Sequence, residues 1–130
     1  MYVLDTNTLI YFFKGLGAVA ENLLAKTPKE IAIPSIVLFE LEVGIAKSIS
    51  PQKRKQQLKE LELSIQILPF GYSEALAAAS IRTALEKQGQ LIGPYDILIA
   101  AIAFSNKGIL VTHNTKEFAR VKGLLLEDWY

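Results

Sequence analysis

The chain has no cysteine and only one histidine in 130 residues. The first absence excludes a disulfide framework and thiolate metal sites, and a single histidine is too few for a zinc centre. Any metal here is held by oxygen, which suits hard cations such as Mg²⁺ or Mn²⁺. A charge excess of one sign is also missing, since 14 basic and 13 acidic residues leave a net +1. The molecule is no polycation, so a nucleic acid partner would have to be met by a local basic patch. Long apolar runs are absent too. The run from Ile97 to Phe104 is far short of the roughly 20 residues needed to span a bilayer. The chain opens on a strand-like run with no basic leader, so the expectation is a cytoplasmic protein with no membrane partner.

What is present is apolar and alternating. Hydrophobic residues make up 51% of the chain and charged ones 21%, the apolar edge of the globular range. That balance points to a dimer, a covering partner or a large core. Short apolar runs at Tyr2-Leu4, Ile31-Ile33, Gln66-Leu68, Ile109-Val111 and Leu124-Leu126 read as strands. Between them lie helical stretches, roughly 6–14, 17–26, 35–47, 51–64, 74–88, 95–106 and 116–121. Such alternation predicts one α/β domain over residues 1–130, a parallel sheet with helices on both faces. Ser50-Pro51 and Ser73-Glu74 read as helix starts, and Pro94 as a first-turn residue. Gly89, Gly108 and Gly123 read as left-handed helix ends.

Four acids stand out against this background. Asp5 follows the first strand, Glu40 sits in an apolar helix, Asp96 follows Gly93-Pro94-Tyr95, and Glu117 follows Asn114 by three residues. Open α/β sheets bind ligands at the carboxyl ends of their strands, where strand order reverses. Each acid also has a plain structural reading. Asp5 suits an N-cap, Asp96 a helix first turn, and Asn114 with Glu117 a capping box. Glu40 and Glu42 are flanked alike at helical spacing, and periodicity does not choose between them. A charge buried on such a helix is costly unless it is paired or holds a cation.

Together, the segments Val3-Leu4-Asp5-Thr6-Asn7, Pro34-Ser35 through Glu40-Leu41, Gly93-Pro94-Tyr95-Asp96 and Asn114-Thr115-Lys116-Glu117-Phe118 resemble the PIN-domain ribonucleases. Within them the likeness is to the VapC toxins of toxin–antitoxin pairs, and it runs over essentially the whole chain. The resemblance implies a five-stranded parallel sheet flanked by helices in three layers. It selects Glu40 over Glu42 and implies an acidic site of Asp5, Glu40, Asp96 and Glu117. One or two Mg²⁺ or Mn²⁺ ions are expected there, held first by Asp5 and Asp96, with Glu40 and Glu117 acting directly or through water. Many PIN domains have Asp where this chain has Glu117, whose extra methylene lengthens its reach. Asn7, Thr112 and Asn114 are expected to hydrogen-bond the acids or the scissile phosphate.

The implied activity is hydrolysis of an RNA phosphodiester, with initiator tRNA cut in its anticodon region as the nearest substrate and ribosomal RNA as an alternative. The implied partners are a VapB-type antitoxin and a second copy of the chain. The apolar first helices, with Ile10, Phe12, Phe13, Leu23 and Leu24, offer a surface for either. Lys116 and Arg120 are the nearest candidate RNA contacts, while Lys53-Arg54-Lys55 with Lys59 reads as a solvated helix face. His113 reads as a surface residue. A phosphoryl-accepting receiver domain is excluded, because Met1-Tyr2-Val3-Leu4 leaves no room for the acidic pair it needs. A haloacid-type phosphatase wants an acid at position 7, which is Asn7. A catalytically silent PIN scaffold is disfavoured by the presence of all four acids.

Overall fold

A computed structural model describes residues 1–130. Five strands, β1 (Tyr2–Leu4), β2 (Ile31–Pro34), β3 (Gln66–Leu68), β4 (Ile109–Val111) and β5 (Leu125–Glu127), form one sheet. Its order is β3-β2-β1-β4-β5 and every pairing is parallel. The helices are α1 (Thr6–Lys14), α2 (Val19–Leu24), α3 (Ser35–Ala46), α4 (Pro51–Glu62), α5 (Tyr72–Gln88), α6 (Pro94–Ser105) and α7 (Thr115–Phe118). A 3-10 turn at Pro28–Glu30 leads into β2. No helix is long and apolar enough to cross a membrane.

Chain order accounts for the layering. Parallel neighbours need a crossover between them, and helices supply it while covering both faces of the sheet. The three inner strands are therefore almost wholly buried, and the edge strands β3 and β5 are not. Val3, Leu4, Ile33, Leu110 and Val111 form one continuous core with Ile99 to Ala103 of α6. From β1 the chain builds outward through β2 to β3, then crosses to β4 on the other side of β1. The strand order thus reverses between β1 and β4, and their carboxyl ends flank the crevice this creates.

Element boundaries depart from the sequence reading in instructive places. Helix α5 starts at Tyr72, capped by Gly71, whose N–H donates to Glu74 at 2.8 Å, so Ser73 is no cap. Gly89 and Gly123 have positive φ as expected. At the end of α6 the left-handed residue is Lys107, not Gly108. Gly108 is needed for a different reason: a Cβ there would lie 2.7 Å from Val3 Cγ2 and 3.4 Å from the Met1 carbonyl oxygen. The turn passes this close because Ile109 N–H donates to that same carbonyl to start β4. Gly108→Ala is expected to overpack the β1/β4 seam at a cost of about 1–3 kcal/mol. Thermal unfolding should show a melting temperature lower by several degrees, and an unchanged value would mean that the seam yields freely.

Candidate active site

Asp5 ends β1 and caps α1. Its N–H continues the ladder to the Val111 carbonyl at 3.1 Å, and its Oδ1 accepts the Thr8 N–H at 2.9 Å. Thr8 donates its hydroxyl to the Val111 carbonyl at 3.1 Å, locking the start of α1 to β4. The residue is only 6% exposed. Burial raises its carboxyl pKa above the ordinary value, partly offset by hydrogen bonds from Thr112 and Thr8. The capping role expected of Asp5 is real, and it aims the second carboxylate oxygen with one oxygen already fixed.

Glu40 comes from α3, which starts directly off β2. It is half-buried, and its Oε1 accepts the Thr6 hydroxyl at 2.7 Å. Glu42 is exposed. Two residues is about 200° around a helix, so only one of the two faces the crevice, and it is Glu40. Asp96 lies in the first turn of α6, behind Gly93-Pro94. A Cβ on Gly93 would lie 3.3 Å from Asp96 Oδ2, a close backbone approach. The Asp96 carboxyl is pushed up to about 6, first by burial and then by the negative charges of Glu40, Asp5 and Glu117. The charges of the other three acids thus all bear on Asp96.

Glu117 lies on α7, and the expected capping box does not form. Asn114 makes no side-chain cap bond; its amide donates instead to Glu117 Oε2 at 2.7 Å, while its N–H donates to the Thr112 hydroxyl at 3.0 Å. Asn114 thus orients Glu117, and Thr112 in turn holds the Asn114 backbone. Asn7 is exposed beside the site. Lys116 is an exposed cation on α7, whereas Arg120 donates to the Leu91 carbonyl at 3.2 Å and steadies the loop entering α6.

No basic side chain pairs with any of the four acids. The ion pairs in the chain are Arg82–Glu86 and His113–Asp128, neither of which includes one of the four. Nor do any three acids stand close enough to form a ready-made ligand set. All-oxygen donors, mutual repulsion and no internal counter-charge fit a hard cation that keeps part of its water shell.

Beside Glu40 opens a cleft of ≈ 230 Å³ lined by Ile10, Phe13, Lys14, Leu41, Gly44, Ile45, Ser48 and Arg54. Arg54 corrects one sequence expectation. It is half-buried and donates to the Phe13 carbonyl at 2.9 Å and to Gln57 at 2.8 Å, closing the last turn of α1. Lys53, Lys55 and Lys59 are exposed as expected. Sequence reasoning missed Thr6, Thr8 and Asp128. An Asp at a helix start makes the Thr8 contact legible in principle, but nothing in the sequence links Asp128 to Asp5, whose carboxyl it influences.

Residues 2–124 match the model of the PIN domain family. The chain is 35% identical over 137 residues to Ribonuclease VapC2 of Rickettsia felis, covering 99% of this chain and 98% of that one. It is equally, 35%, identical to the tRNA(fMet)-specific endonuclease VapC of Shigella flexneri, at 98% and 97% coverage. Among solved structures, VapBC2 from Rickettsia felis bound to a DNA fragment from its promoter superposes with a TM-score of 0.89 at 38% identity, covering 99% and 98% of the two chains. DNA-bound VapBC from Salmonella typhimurium superposes with a TM-score of 0.91 at 33% identity and the same coverage. With its five-stranded parallel sheet and these matches over nearly its whole length, the chain belongs to the PIN-domain family, in its VapC branch.

Proposed function

We propose that this chain is a divalent-cation-dependent endoribonuclease, the toxin of a VapBC-type pair, acting in the cytoplasm. The observation that carries the reading is the match of residues 2–124 to the PIN domain family, joined to four acids of which none is paired with a basic side chain. Asp5 and Asp96 are the direct ligands, and Glu40 and Glu117 bind directly or through water. When one or two Mg²⁺ or Mn²⁺ ions are bound, they offset the repulsion among these acids and supply Lewis acidity to water and phosphate oxygens. The chain's own part is orientation. Thr8 and Thr112 fix Asp5, Thr6 fixes Glu40 and Asn114 fixes Glu117. Exposed Lys116 and Asn7 stand where the phosphate backbone would pass. Hydrolysis joins the water oxygen to phosphorus, breaks one phosphoester bond and returns a proton to the leaving oxygen.

The substrate proposed is tRNA, cut in the anticodon region of initiator tRNA, in line with the activity named for the Shigella relative. Two apolar surfaces suit two partners. The cleft beside Glu40 suits the VapB-type antitoxin, since a segment seated there would border the acidic site. The face where Phe104 and Leu125, exposed at 46% and 60%, line one open groove suits a second copy of the chain. Sedimentation should give a dimer mass for the wild type and a monomer mass for Phe104→Glu; a dimer that survives the change would put the interface elsewhere.

Incubation with total RNA, followed by mapping of the new 5′ ends, tests the activity. Cleavage should concentrate in the initiator tRNA anticodon region, stop with EDTA and return with Mg²⁺ or Mn²⁺. Undiminished cutting in chelator would remove the cation from the reaction, and cuts confined to ribosomal RNA would replace the substrate.

The acids can be tested through stability as well as rate. A carboxyl whose pKa is raised by folding favours the native state below its unfolded value near 3.8 and loses that contribution as pH rises through about 6. Metal-free Asp96→Asn should therefore melt no lower than wild type, with a margin in its favour that widens between pH 4 and 7. Mg²⁺ should raise the wild-type melting temperature at pH 7.5 more than that of the variant, and the variant should not cleave. Glu117→Gln keeps a group able to meet Asn114, yet loses a negative charge. It should lose at least ~10-fold in rate, about 1.4 kcal/mol of transition-state stabilisation, while Glu42→Gln stays near wild type. Full activity in Glu117→Gln would reduce the site to three acids.

A further inference from the structure

The single histidine lies on the lip of the acidic crevice in an aromatic cluster that the proposed chemistry does not use. The His113 ring stacks on Tyr130 with centroids 4.3 Å apart and an interplanar angle of 25°. Tyr11 meets both rings edge-on, at 5.9 Å from His113 and 4.9 Å from Tyr130. The stack is held from several sides. His113 Nδ1–H donates to Asp128 Oδ2 at 2.9 Å, and Tyr130 N–H donates to Asp128 Oδ1 at 2.9 Å. Ala18 N–H donates to the Tyr130 carbonyl. Gly17, with positive φ, lets the Tyr130 ring approach so closely that a Cβ there would lie 2.8 Å from it. Partial burial opposes ionisation of Asp128, but the Tyr130 and His113 bonds outweigh it and hold its carboxyl below the ordinary value.

Despite these restraints, the His113 side chain is 47% exposed and Tyr130 is 47% exposed. A cluster serving only the core would be buried. This one is pinned in place and left open to solvent, next to Thr112, whose hydroxyl hydrogen-bonds Asp5.

We propose that the His113–Tyr130 stack is a platform for an unpaired base of the RNA, next to the phosphodiester in the acidic crevice. This rests on the ribonuclease reading above. Unpaired bases are commonly recognised by stacking on aromatic rings, histidine included. The charge pattern favours a base over a phosphate: Asp128 offsets any positive charge on His113, so the platform offers an oriented π-face with no net cation. Exposed Lys116 is left to meet the backbone. The platform orients substrate and carries no bond-making role.

Steady-state cleavage of a single-stranded oligonucleotide spanning the mapped cut site tests this, using the full chain with Mg²⁺. His113→Ala and Tyr130→Leu should each raise KM at least ~5-fold with kcat within about 2-fold, whereas Tyr130→Phe, which keeps the ring and its main-chain bonds, should keep a KM near wild type. Circular dichroism melts check that each variant is folded. An abasic nucleotide beside the cut should raise wild-type KM similarly and add little in Tyr130→Leu, because both changes remove the same stack. Wild-type KM in the non-aromatic variants, or losses that simply add, would overturn the platform while leaving the ribonuclease reading intact. If the wild type cleaves no RNA, that reading falls and takes the platform with it.

Discussion

Repulsion at Asp96 from Asp5 at the end of β1, Glu40 on α3 and Glu117 on α7 is the constraint on which the proposed site depends. The chain leaves that repulsion uncompensated by any side-chain cation and restrains the acids with neutral donors instead. The Thr6 hydroxyl, the Thr8 N–H and the Asn114 amide donate to Glu40, Asp5 and Glu117 and hold these carboxylates without neutralising them. An arginine in the same place would give a more comfortable fold with no demand for an external charge. The Asp96 carboxyl is raised first by burial and then by its three acidic neighbours.

The sheet topology makes this arrangement inexpensive to build. Asp5 and Thr112 follow directly from β1 and β4, so the register Leu4↔Val111 fixes their separation. Glu40 and Asp96 ride on α3 and α6, which pack on that same pair of layers through buried Val37, Leu41, Ile97 and Ile99. Positions far apart in sequence thus share one rigid frame, and precision at the site comes from core packing more than from loop conformation. The tight Gly108 contact belongs to this frame, since it sets where β4 starts against β1.

Much of this was legible in the sequence, for reasons that can be named. The buried strands are apolar runs between turn residues, and a parallel sheet follows from their alternation with helices. The expected number and direction of strands agree with the structure. Glu40 against Glu42 was not legible from periodicity, because α3 is apolar around nearly its whole circumference; the family likeness made the choice, and the Thr6 bond gives its physical basis. Glycine signals misled where close packing, rather than backbone handedness, required the residue, as at Gly108. The charge run 53–55 hid the tertiary role of Arg54, because a bond to the Phe13 carbonyl leaves no local mark. The His113–Asp128 pair was invisible for the same reason: fifteen residues and a strand separate its members.

The near-neutral net charge acquires a meaning from this geometry. An acidic site repels a polyanionic substrate, and a chain of net +1 cannot overcome that with a long-range field. Attraction has to be local and arranged around the opening. The lip carries exposed Lys116 on α7 and the aromatic face of His113 and Tyr130, while Arg120 and Arg54 are committed to backbone carbonyls. Affinity in such a design comes from short-range contacts made after encounter, and those contacts depend on the shape and unpaired bases of the RNA. On the proposed reading the acids set the chemistry, and Lys116 with the aromatic face beside them sets which strand comes close enough to undergo it.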